Sequence, residues 1–271
     1  MWGAVIGDMV GSSFAGKLNS DCRFEVTEHF GGYTVNTLLI AALAEYLYYD
    51  PAPPEGKIAR KLAGREIAGI QKKYLSRRRE LCDEPRRKWA SFAGVRRSIA
   101  PAMFSPVLAL PLACVCGDVE EAVSRAELAC AYISDCEESR EAAKAAAVVL
   151  FSLRHGIGKE EINEICEPFC GFDLGVPYAE IQETLSEGGT PRDLIRGAVA
   201  ALVKSYDFDS AIRFAAALGR EPQTICALAG AMAEICYGEP PEELKNLAEN
   251  QLDIFYKTII GKFADKFLKG A

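Results

Sequence analysis

The sequence predicts an all-α protein, a compact bundle of many helices. Three observations point there. Apolar residues recur at i, i+3, i+4 and i+7 in eight separate stretches, the spacing that lines one face of a helix. The strand signature is missing, since no alternating run closes on an Asn-Gly or Asp-Gly turn. Alanine and glycine fill many of the periodic stretches, which lets helix axes approach closely.

In chain order, the segment from Trp2 to Ser12 carries glycines at positions 3, 7 and 11. Spaced by four, they fall on one helical stripe suited to close packing against a neighbour. A helix is expected over Thr34–Tyr49 with Thr34 as its N-cap, and another over Lys57–Tyr74. Asp118 caps a helix running to about Asp135, whose inner face is Val119, Ala122, Val123, Ala126 and Ala129. Glu138–Arg154 follows, closed by His155-Gly156, where a cation complements the helix dipole. Pro191–Ser205 comes next. In Asp207–Gly219 the aspartate caps, the glycine stops, and Phe208, Ala211, Ile212, Ala215 and Ala216 form the buried face. Pro222–Tyr237 and Asn250–Leu268 complete the series. No Pro/Gly/Ser-rich linker and no fixed-period repeat divides the chain, so residues 1–271 are read as a single domain.

Composition narrows the function classes. The chain is 49% hydrophobic and 25% charged, with an apolar start that lacks a basic region and carries Asp8 early, and no apolar run long enough to span a membrane, so a cytoplasmic protein with no membrane contact is expected. Its ten cysteines are scattered, and the sequence lacks an export signal. Reduced, packed thiols are expected; Cys114-Val115-Cys116 and Cys166/Cys170 lack the second half of a zinc site. The net charge of −7 disfavours DNA, yet ten basic residues against three acidic ones lie between Lys72 and Arg97. That segment, 72–97, is +7 in a remainder of −14, and is either a solvated face or an anion site. Walker, dinucleotide and zinc-protease motifs are missing from the sequence.

Two long motifs carry a family resemblance. Trp2-Gly3-Ala4-Val5-Ile6-Gly7-Asp8-Met9-Val10-Gly11-Ser12 resembles the opening of ADP-ribosylglycohydrolases, and Asp207-Phe208-Asp209-Ser210-Ala211-Ile212-Arg213 with Leu218–Glu234 resembles that family's most distinctive segment. Ser98-Ile99-Ala100-Pro101-Ala102-Met103 is similar to its glycine-rich central loop, and Gly117–Glu161 to its central helical pair. The resemblance covers nearly the whole chain. It implies an orthogonal all-α bundle and cleavage of ADP-ribose from an acceptor by two magnesium ions held on carboxylates.

The residues at the matching positions imply otherwise for the metal. The family's Thr-Asp-Asp-Thr turn reads Thr34-Val35-Asn36-Thr37, and its Asp-Ser-Asp-Thr turn reads Glu221-Pro222-Gln223-Thr224. Ala15 stands where a glutamate is usual, and Ser134-Asp135-Cys136-Glu137 replaces a histidine-bearing turn. Hard divalent cations need charged oxygen ligands, so no metal site and no bound magnesium are expected.

Several readings remain open. The main one is a non-catalytic family member binding an ADP-ribose-like small molecule or a protein partner, through Thr34, Asn36, Ala102, Met103, Glu221, Gln223 and Thr224. The space between the two turns is then either open or filled by side chains such as Tyr33. Glu221-Pro222-Gln223-Thr224 also reads as nothing more than a helix start, with Glu221 and Thr224 as caps. A metal-poor hydrolase would have to use Glu221 and Asp135 as its acid and base. The third reading is an interaction module using the basic segment 72–97.

Overall fold

The computed structural model describes residues 1–17, 19–81, 103–134 and 136–268, the side chains of 78–81 and 132 excepted. Among them there are thirteen α-helices and no strand, the all-α class that the periodicity predicts. They are α1 Trp2–Ser13, α2 Val35–Tyr49, α3 Gly56–Leu81, the short α4 Ala109–Leu112, α5 Val119–Ile133, α6 Glu137–Arg154, α7 Ile162–Cys170, α8 Tyr178–Glu187, α9 Pro191–Lys204, α10 Phe208–Ala216, α11 Pro222–Tyr237, α12 Glu242–Gln251 and α13 Ile254–Phe267. No helix among the described residues is long and apolar enough to cross a membrane.

Helices α1 and α11 form the centre. Every residue of α1 from Trp2 to Gly11 is buried, and α11 is buried from Pro222 to Ala233 apart from Gln223. A helix apolar on all sides belongs inside a bundle rather than at its surface. The glycine stripe sets their spacing. A Cβ added at Gly3 would lie 2.2 Å from the Gly230 carbonyl oxygen, one at Gly7 1.9 Å from that of Cys226, and one at Gly11 2.4 Å from that of Pro222. The two helices therefore run antiparallel with backbone against backbone. Helix α2, buried from Val35 to Ala44, packs on the pair at its own N-terminus and carries α3 and α13 outside it. Helices α9, α10 and α6 also pack on α11, and α5 packs on α6.

Local chemistry explains most boundaries. Thr34 caps α2 through Asn36 N (3.2 Å), Asp118 caps α5 through Glu121 N (2.7 Å), and Asp207 caps α10 through Ser210 N (2.7 Å), all as expected. The expected inner face of α5 is buried at Ala122, Ala126 and Ala129 and half-buried at Val119 and Val123. His155 follows α6, stacked on Phe151 at 3.9 Å.

The short α4, helices α7 and α8 and nearly all of α12 lie outside the stretches expected from the sequence, and three further details differ. Helix α3 continues past Tyr74 to Leu81, since nothing between those positions breaks a helix. The helix expected over Asn250–Leu268 starts only at Ile254, because Asp253 caps α13 by accepting a bond from Phe255 N (2.8 Å), and Asn250 and Gln251 instead end α12. Glu221 precedes α11 without a side-chain cap bond; it adopts a left-handed backbone, φ +48° and ψ +45°, and Thr224 turns its hydroxyl towards α2 instead.

Candidate functional site

The place where α1, α2 and α11 meet is organised by Asp8. Its side chain is 0% exposed in an otherwise apolar helix, and no cation pairs with it among the described residues. The carboxylate instead accepts hydrogen bonds from the start of α2: from Thr34 N (2.7 Å), Thr34 Oγ1 (2.5 Å), Asn36 Nδ2 (3.1 Å), Thr37 N (3.3 Å) and Thr37 Oγ1 (2.6 Å). Two of these donors are backbone N–H groups at a helix start, which have no partner within the helix. Burial pushes the Asp8 carboxyl above its ordinary pKa, and the bonds from Thr34, Thr37 and Asn36 offset part of that rise.

Asn36 joins this cluster to α11. Its amide nitrogen also lies 3.3 Å from Thr224 Oγ1, and the Thr224 hydroxyl lies 3.5 Å from the Asn36 oxygen. Asn36 and Thr224 are both 0% exposed. Their polar atoms face one another and join the two turns. Tyr33 packs edge-on against Tyr256 of α13, with ring centroids 5.7 Å apart.

Glu221 and Gln223 form the outer, half-buried part. Gln223 Nε2 donates to Glu221 Oε2 at 2.7 Å, and Gln223 Oε1 is buried without a partner. Burial raises the Glu221 pKa, against the lowering effects of Gln223 and the nearby Arg220 charge. Beside them Ser12 donates its hydroxyl to the carbonyls of Met9 and Gly32, both at 2.8 Å, holding the chain that leads into Thr34.

The structure thus brings together Thr34, Asn36 and Thr224, and places Glu221 and Gln223 at the start of the same α11. Met103 is 5% exposed and belongs to the apolar core. Ala102 and Asp135 lie outside the described residues, so a Glu221–Asp135 pair has no geometry. Of the basic segment, residues 82–97 and the side chains of 78–81 lie outside them too. Lys73 and Arg77 are engaged within the molecule, Lys73 with Glu45 at 3.0 Å and Arg77 with Asp253 at 3.8 Å and the Phe255 ring at 4.5 Å. Asp8 is the residue the sequence reading passed over. A lone carboxylate in an apolar glycine-striped helix is the signal that marks it.

The ADP-ribosylglycohydrolase family model matches residues 1–271. The chain belongs to the ADP-ribosylglycohydrolase family. Among solved structures, one described as an "ADP-ribosylglycohydrolase-related protein complex" superposes with a TM-score of 0.68 at 21% identity, covering 98% of this chain and 95% of that one; it shows the shared fold. A comparison with curated proteins finds no match.

Magnesium, which this family implies, finds no fitting donor set among the described residues of this ADP-ribosylglycohydrolase relative. Val35 offers no side-chain oxygen, and Asn36 directs its amide to Asp8 and Thr224. Gln223 is neutral, and Asp8 is enclosed by donors rather than open to a cation. No group of three His, Cys, Asp or Glu side chains suited to a metal occurs among the described residues. The described cysteines are free thiols, five of them buried.

Proposed function

We propose that this protein is a cytoplasmic, non-hydrolytic member of the ADP-ribosylglycohydrolase family that binds an ADP-ribose-like ligand or a protein partner without magnesium. One observation carries the reading: Asn36 stands where the family resemblance places a carboxylate, and bonds to both Asp8 and Thr224. A neutral amide so placed joins two helices by hydrogen bonds and supplies no charge to a divalent ion. The start of α11, beside Glu221 and Gln223, remains the place for an anionic ligand group, with the Gln223 N–H as its backbone donor, since Pro222 has no N–H and those of Thr224 and Ile225 bond to the Glu221 carbonyl. Isothermal titration with ADP-ribose, with and without magnesium, tests this. The expected result is a binding heat indifferent to the metal and ADP-ribose recovered unchanged, or no heat and a role in partner binding. Magnesium-dependent binding with turnover of an ADP-ribosylated substrate would sink the reading.

A second reading is favoured by Glu221 alone. Its raised pKa and left-handed backbone are features of a carboxyl poised for proton transfer. A metal-independent hydrolase acting on an ADP-ribosyl or related glycosidic bond would then use it as general acid. In that case Glu221→Gln lowers the rate by roughly 100-fold or more. An unchanged rate in a steady-state assay removes this reading.

A further inference from the structure

At the other end of the α1–α11 pair lies a cavity of about 720 Å³, a size that accommodates a small-molecule ligand. Trp2 lines it, six residues before Asp8, which is roughly 9 Å along the helix axis. The cavity and the Asp8 cluster are therefore separate places on the same helix pair. The accessible apolar part of its wall comes from Ile235, Ala264 and Leu268 with the edge of Trp2, while Ala4, Leu110, Ala113, Leu150 and Leu153 are buried behind it.

Its mouth is charged, and those charges pair off with one exception. Glu234 accepts from the Met1 nitrogen (2.5 Å) and from Gly3 N (2.8 Å). Lys245 lies 3.9 Å from Glu239, Lys257 binds Glu249 at 2.7 Å, and Asp265 is itself engaged. Arg154, at the C-terminal end of α6, also lines the cavity. It donates through one nitrogen to the Phe267 carbonyl at 2.8 Å, and no carboxylate among the described residues forms an ion pair with it. A guanidinium has five donors in a fixed fork that matches a carboxylate. Most of that fork is unspent.

We propose that this cavity binds a small amphipathic carboxylate, with its apolar body on Ile235, Ala264, Leu268 and the edge of Trp2 and its carboxylate on the guanidinium of Arg154. The alternative is a cavity without a ligand, in which Arg154 does no more than complement the dipole at the end of α6.

Trp2 reports on its own cavity. The sequence has two tryptophans, so Trp89→Phe in the full chain leaves Trp2 as the sole emitter. Octanoate titrated into that protein is expected to change Trp2 emission saturably, octanol to bind at least tenfold more weakly, and acetate to have no effect. Arg154→Gln should weaken octanoate tenfold or more and leave octanol unchanged. Gly261 lines the cavity in α13, and a Cβ there meets nothing within 4 Å. Gly261→Leu should therefore block octanoate while the circular dichroism and melting temperature hold or rise. Unsaturable emission, equal affinity for octanoate and octanol, or an Arg154→Gln protein that binds octanoate like its parent overturns the proposal.

Discussion

Gly7→Ala is expected to destabilise the protein by about 3 kcal/mol or more, lowering the melting temperature by roughly 6–12 °C. The added methyl would stand 1.9 Å from the Cys226 carbonyl oxygen and 2.4 Å from its carbonyl carbon. Both are backbone atoms of α11, so no side chain can rotate to make room. Relief requires the two central helices to separate, and the close approaches at Gly3 with Gly230 and at Gly11 with Pro222 lie on the same line of contact. Parting the helices at Gly7 loosens the packing on either side of it. Gly69→Ala is the control. It lies in exposed helix α3 with nothing within 4 Å of the new methyl, and should be neutral or stabilising by up to about 1 kcal/mol. Thermal melts of the two variants against the parent decide the matter; a Gly7→Ala protein that melts with the parent would mean that α1 and α11 do not pack as closely as described.

Asp8→Ala should have an effect of similar size, about 3–5 kcal/mol, for a different reason. It leaves the two backbone N–H groups and the hydroxyls of Thr34 and Thr37, together with the Asn36 amide, without their shared acceptor, in a region buried at Asn36 and Thr37 and half-buried at Thr34. Each buried donor left alone costs about 1–3 kcal/mol, and relaxation of the α2 start recovers part of the sum. The carboxyl also gives stability a pH dependence. Its folded pKa lies above the unfolded value near 3.8, so the folded state holds the proton more tightly. Its contribution is then greatest below about pH 4 and declines as pH rises through the unfolded and then the folded pKa. Glu221 and Asp209, whose carboxyls burial also raises, share this sign and cancel when the parent is compared with Asp8→Asn. Urea unfolding from pH 4 to pH 8 should show the advantage of the parent over Asp8→Asn shrinking as pH rises. An advantage that grows with pH would mean that the five donors hold the Asp8 carboxylate ionised against its burial.

Within the candidate site, the sequence was informative where the physics is local. Thr34 is a cap by residue type and position, and it caps. Glu221, expected to cap in the same way, does not, because its backbone enters the left-handed region and its carboxyl is turned to Gln223. The Asp8 cluster was not legible because its members are distant in sequence. Asp8 is 26 residues from Thr34, and Asn36 is 188 residues from Thr224. Periodicity reports which face of one helix is apolar and says nothing about which helix start lands on a buried carboxylate. For the same reason Asn36 and Thr224 read as separate ligand positions, although each is the other's hydrogen-bond neighbour.

The sequence by itself determined the all-α class, most helix starts and the family motifs, because spacing, caps and glycine stripes act over one or two turns of a single helix. The glycines at 3, 7 and 11 went further, since a stripe without side chains specifies close contact without naming the neighbour. Only the tertiary structure decided that the neighbour is α11, that Asn36 bonds across to Thr224, and that Arg154 faces a cavity with its fork largely free. Those facts depend on how helices from remote parts of the chain are stacked, and that stacking is set by the packing of the whole core.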